Sequence, residues 1–214
     1  MKALLYKQFR LVCQPMTLVF CLFGVMLLIP NYPYTVTFFY VTLGLFFTFM
    51  NQRDQRDVYY MALLPVRKRD AVAVSALFCV LIQLLGLLLS VPFAMLSARL
   101  NPSGGNVVGL DANAALFAAG FLIYAVFNSV FLPAFYRSGY KVGTAYCTAL
   151  IPTALVMLVC EILPHVPALS WLNDTDTAGN LRQLPLLAAA AAVYAAASWL
   201  AFRRAAARYE KVDL

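Results

Sequence analysis

Residues 51 to 70 read Asn51-Gln52-Arg53-Asp54-Gln55-Arg56-Asp57-Val58-Tyr59-Tyr60-Met61-Ala62-Leu63-Leu64-Pro65-Val66-Arg67-Lys68-Arg69-Asp70. Both ends of this stretch are charged, and a short apolar, aromatic piece lies between them. The flanking chain is apolar for long distances, over residues 34–50 and 71–96. A spanning helix needs about 20 mostly apolar residues at about 1.5 Å rise each. Val58 to Leu64 is far too short for that. The stretch is therefore expected to be a loop joining two membrane spans.

Outward from this loop the same test finds spans at 11–29, 34–50, 71–96, 114–135, 143–163 and 184–202. The third is long enough to tilt or to extend beyond the bilayer. Pro30-Asn31-Tyr32-Pro33 reads as a tight turn, and Asn101-Pro102-Ser103-Gly104-Gly105 as a chain break. The expected fold is all-α: a single transmembrane domain over 1–214 with six transmembrane helices. The charged N-terminal residues are not expected to form a cleavable signal peptide, since the apolar run after them is too long.

Composition agrees. A soluble domain is about 45–50% apolar and about 25% charged, whereas this 214-residue chain is 63% hydrophobic and 12% charged. The net charge of +7 sits in clusters between apolar runs, with no basic stripe interleaved with aromatics, so nucleic acid is not an expected partner. With the N-terminus inside, every basic residue except Arg99 and Arg182 falls on the inner side. That asymmetry sets both termini in the cytoplasm. The five cysteines form no CxxC pair and have no ligand cluster beside them, so neither a metal site nor a disulfide framework is expected.

Residues 1–14 read as an amphipathic segment, with Leu5, Phe9 and Val12 on one face and Lys7, Arg10 and Gln14 on the other. It either lies at the inner interface or extends the first helix. Within the 51–70 loop, exposed Val, Tyr, Met and Leu with an Arg rim have the composition of a protein-binding patch. The same residues suit a piece folded back onto the headgroups.

The run from Tyr60 to Val72 resembles the Tyr-x-x-x-Leu-Pro-Val-Ser-Arg-x-Glu-Ile-Val pattern after the second span of small type-2 ABC exporter permeases. It departs at Arg67, which replaces Ser, and at Ala71, which replaces Ile. The branch it most resembles includes the membrane subunits of the phenol-soluble modulin exporter. The resemblance implies a short cytoplasmic coupling helix that docks into a separate ATP-binding subunit. Val58, Tyr59, Tyr60, Met61 and Leu64 would be its inserted face, and Pro65 its end. Arg67, Lys68 and Arg69 would anchor the third span at the inner headgroups. ATP and Mg would bind the partner subunit, since this chain has no G-x-x-x-x-G-K-[ST] loop of its own. A second permease subunit, identical or paralogous, and a bacterial cell membrane complete that expectation.

Glu161 is the one acid within an apolar run. A carboxylate at the bilayer centre costs roughly 2.5–3.5 kcal/mol, so such a residue has a partner or a role. It reads either as a headgroup-level acid or, with His165 and Trp171, as part of an outer gate. Asn128 and Ser129 either bond a neighbouring helix or face a cavity. The alanine-dense last span favours close helix packing. Two other functions compete. One is a substrate-capturing membrane subunit of an energy-coupling importer, which fits the length and span count. The other is an intramembrane enzyme, for which one His and one intramembrane Glu supply no catalytic constellation.

Overall fold

Pro15 decides the first structural break. Lacking an N–H, it starts a helix and forces Gln14 into extended backbone at φ −79°, ψ 140°. In the computed structural model, which describes residues 2–30, 32–100, 106, 108–138 and 141–211, the chain before this point is helix α1, Lys2–Lys7, running on as a π-helical turn, Gln8–Val12. Helix α2, Pro15–Cys21, follows and tightens into a 3-10 segment, Leu22–Leu28. The two pieces meet at 92°. The break frees the carbonyls of Leu11 and Val12. Gln55 Nε2 donates to the first at 3.2 Å and Asn51 Nδ2 to the second at 2.8 Å. The 11–29 span expected from sequence therefore loses its first residues to the bend.

Helix α3, Val36–Asp54, returns antiparallel to α2. Gly44 admits the backbone of Thr17, whose hydroxyl donates to the Gly44 carbonyl at 2.7 Å. Helix α4, Asp57–Leu63, is short. Helices α5 (Lys68–Leu100), α6 (Ala114–Ser138), α7 (Val142–Ile162) and α8 (Thr177–Tyr209) are the long elements. Between α7 and α8 lie the 3-10 turns Leu163–His165 and Pro167–Asn173. No strand occurs among the described residues.

Four helices, α5 to α8, are long and apolar enough to cross a membrane, and the bent N-terminal pair raises this to as many as five. The 19-residue α3 ends on Asn51-Gln52-Arg53-Asp54, which dilutes its apolar run. Prolines 92, 133, 152 and 185 sit inside α5 to α8, as membrane helices tolerate.

Helix α6 is the most buried span and packs along both α7 and α8. Phe49 of α3 meets Phe131 and Phe135 of α6 edge-on at 4.9 and 4.8 Å. Deep in the bundle, Gln83 and Asn128 exchange two hydrogen bonds of 2.8 Å. Tyr194 donates to Gln83 Oε1 at 2.8 Å, and Asn128 donates to Ser198 Oγ at 3.1 Å. These bonds join α5, α6 and α8. Ser129 bonds back to Ala125 of its own helix.

Candidate partner-binding site

The start of α4 is set by its backbone. Arg56 is the only non-glycine with positive φ among the described residues, at φ 52°, ψ 33°, and it turns the chain sharply out of α3. Asp57 and Met61, one helical turn apart, then share the face toward the bundle and are 7% exposed each. The opposite face presents Tyr59 at 51%, Tyr60 at 54% and Leu63 at 72% exposure. Leu64 leaves the helix in extended backbone at ψ 150°, which the following Pro65 imposes.

This geometry corrects the expected inserted face. Tyr59 and Tyr60 point outward, but Met61 is turned into the bundle by the helical period. Leu63, not singled out from sequence, is the most exposed of the three, and Leu64 is half-buried. The side chain of Val58 lies outside the described residues.

The amphipathic reading of the N-terminus is also corrected. Lys7 and Gln8 turn inward and Tyr6 and Leu11 outward. Lys7 Nζ lies 2.5 Å from Asp57 Oδ1, and Gln52 Nε2 donates to Asp57 Oδ2 at 3.1 Å. Sequence reading passed over Asp57; an acid opening a short apolar helix was the available signal. Beyond Pro65, Arg67 and Arg69 are exposed. Arg69 stacks over Phe202 at 5.8 Å and Lys68 over Tyr209 at 5.8 Å. Arg208 donates to the Pro133 carbonyl at 3.0 Å. The basic segments at 53–69 and 203–211 thus gather at one end of the bundle.

At the other end, Glu161 is 9% exposed. Its Oε1 accepts from Thr35 N–H at 3.0 Å and Thr35 Oγ1 at 2.6 Å, and its Oε2 accepts from Leu110 N–H at 3.0 Å. His165 caps the end of α7, with Nδ1 3.2 Å from the Glu161 carbonyl, which makes Nδ1 the donor. Trp171 lies under Arg182 at 5.3 Å, and its carbonyl accepts from Gln183 at 3.0 Å. Glu161 and His165 adjoin each other; no hydrogen bond joins either to Trp171 among the described contacts. Asp111, in the loop before α6, accepts a hydrogen bond from Asn106 N–H. Burial raises its pKa above the ordinary aspartate value, and the bond from Asn106 opposes that. Among the described residues no cluster of His, Cys, Asp or Glu is placed to hold a metal.

An all-helical bundle with several helices long and apolar enough to cross a membrane defines a polytopic membrane protein. Residues 3–201 match the family described as ABC-2 family transporter protein, and the chain belongs to that family. It is a type-2 ABC permease, a membrane subunit that works with an ATP-binding partner. No curated protein and no solved structure matches it.

Proposed function

We propose that this chain is the six-span permease of an ATP-driven exporter, with α4 as the coupling helix gripped by the ATP-binding subunit. The observation that carries this reading is the outward face of Tyr59, Tyr60 and Leu63 on a helix backed by Asp57 and Met61. Two aromatic anchors with an arginine rim suit a protein groove. ATP and Mg bind the partner. Closure of the ATP-binding subunits pushes α4, and the spans carry the motion to the pathway.

Two aromatic and arginine pairs, one near each end of α8, support a bilayer position. Arg182 covers Trp171, and Arg203 lies 4.8 Å over the exposed Trp199. About 31 Å of helix separates Arg182 from Arg203, close to the roughly 30 Å hydrocarbon core. In the six-span arrangement α2 with its 3-10 segment, and α3, are the first two spans. The 3-10 geometry stretches the former to about 24 Å, a mismatch that a thinner bilayer around this hairpin accommodates. The basic end faces the bacterial cytoplasm. Glu161, with His165 and Trp171 nearby, closes the outer side.

The cargo in this reading is amphipathic or hydrophobic, peptides such as phenol-soluble modulins among them, and a second permease subunit completes the pathway. The exposed alanines of α8, including Ala188, Ala192 and Ala195, permit close approach of that second subunit. The test is co-purification. Tyr60→Glu should abolish recovery of the ATP-binding subunit while the permease still inserts, and unchanged recovery removes α4 from the mechanism.

A further inference from the structure

Behind α4 lies a small chamber with polar groups set among apolar side chains. Lys7 Nζ and Asp57 Oδ1 are 2.5 Å apart, with their side chains only 16% and 8% exposed. The second carboxylate oxygen accepts from Gln52 Nε2 at 3.1 Å. One carboxylate on α4 is thereby held by α1 and by the last turn of α3. A cavity of about 10 Å³ adjoins it, lined by Lys7, Gln8, Gln52, Ser75 and Tyr136 among others. Gln8 Nε2 and Gln52 Oε1 are buried there without protein partners. Among the described side chains of α4, Met61 also faces inward, an apolar contact without direction.

A sheltered ion pair differs from a surface one. Salt screens it little, and removing one partner leaves the other charge buried and uncompensated. Asp57 is also the first residue of α4, where a negative charge meets the positive end of the helix dipole. Directly before it stands the left-handed Arg56. Force applied to Tyr59, Tyr60 and Leu63 therefore reaches the bundle through a fixed point only a few residues away.

We propose that Asp57 is the positioning residue of the coupling helix, tying α1 and α3 to α4 through Lys7 and Gln52 so that the three move as one body. This rests on the reading of α4 as the coupling helix, but the tie itself is measurable without a partner. It assigns the N-terminal helix a mechanical role: motion imposed on α4 is delivered to the 92° elbow at residues 13 and 14.

Hydrogen exchange on the purified permease tests the tie. Asp57→Asn keeps the shape and an acceptor for Gln52 but removes the charge that holds Lys7. Lys7→Met removes the other partner without touching α4. Both variants should exchange about tenfold faster over residues 2–12 and 57–63, the level expected when a local opening loses one anchor. The exchanged pair, Lys7→Asp with Asp57→Lys, should return most of the protection. Unchanged exchange over 2–12 in both single variants overturns the proposal.

A second arm uses the complex with the ATP-binding subunit. Asp57→Asn should still bring that subunit down, because the outward face is intact. ATP should alter exchange at both 2–12 and 57–63 in the wild type, but only at 57–63 in the variant. Joint change at both segments in the variant also counts against the tie. If the wild type recovers no ATP-binding subunit, the coupling reading fails, and the free permease still decides the tie.

Discussion

Glu161 and Thr35, from opposite parts of the chain, are joined by two hydrogen bonds: the carboxylate accepts from the Thr35 N–H at 3.0 Å and its hydroxyl at 2.6 Å. With the bond from Leu110 N–H, one side chain fastens the end of α7 to the start of α3 and to the 106–111 loop. Glu161→Ala leaves these donors unpaired in a buried place, each at a cost of about 1–3 kcal/mol. The carboxylate lies flush against Gly109, where an added Cβ would stand 1.6 Å from Oε2. Gly109→Ala should therefore reproduce much of the effect while leaving Glu161 in the sequence. Alkylation of the buried Cys160 reads both. Faster labelling in each is expected, and protection in both would show that the carboxylate does not hold this end closed.

The second prediction concerns the middle of the bundle. Gln83 and Asn128 satisfy each other, with Tyr194 and Ser198 taking the remaining bonds. Hydrogen bonds inside membrane proteins contribute about 0.6–2 kcal/mol each. Asn128→Leu should destabilise by roughly 2–3 kcal/mol, because Gln83 is left with unmet polar atoms. Adding Gln83→Leu should cost less than the sum of the singles, since the stranded partner goes too. Denaturant titration in mixed micelles measures the series. Strict additivity would mean that the pair does not act as a unit.

What the sequence discloses here follows from what is local. Apolar runs mark α5 to α8, with ends displaced by up to seven residues, because lipid demands length and composition. The charged loop and Pro65 located α4. The direction each side chain faces is not local. The resemblance places Met61 on the inserted face, but the Asp57 anchor fixes the helix rotation and turns it in. The partners of Glu161 lie as far as 126 residues away, so its bonds had no legible signature. Gln83 had one: a carboxamide in the middle of the longest apolar run faces the same cost argument that drew notice to Glu161. Asn51 and Gln55 read as part of a charged loop, yet they cap the elbow, which no periodicity announces.

The loop before α6 gives a pH-dependent prediction. Burial raises the pKa of Asp111, against the bond it accepts from Asn106. A carboxyl with a raised folded-state pKa favours the fold below its unfolded value, and that contribution is lost as pH rises through the folded value. At neutral pH the buried charge therefore works against folding. Asp111→Asn keeps an acceptor for Asn106 and removes the charge. Its melting temperature should equal or exceed that of the wild type at pH 7, with the gap closing as pH falls toward about 4. A lower melting temperature at pH 7 would mean that the charge itself is needed there.

The last prediction tests the hairpin that six spans require. The 3-10 segment after α2 lies against α5 at Gly24, where an added Cβ would come within 2.8 Å of both Cα and Oγ of Ser90. Backbone on the far side leaves no flexible group to yield, so Gly24→Ala must push the segment off α5. Overpacking of this kind costs about 1–3 kcal/mol. Cys21, 1% exposed and facing the Ile82 carbonyl of α5 at 3.8 Å, reports the separation by faster alkylation. Gly143 is the control: it lies in the first turn of α7 with nothing within 4 Å of its Cβ position. Gly143→Ala should be neutral or stabilise by about 0.5–1 kcal/mol through helix propensity. Equal labelling of Cys21 in both variants would mean that the 3-10 segment does not rest on α5, and the first two spans would have to be placed elsewhere.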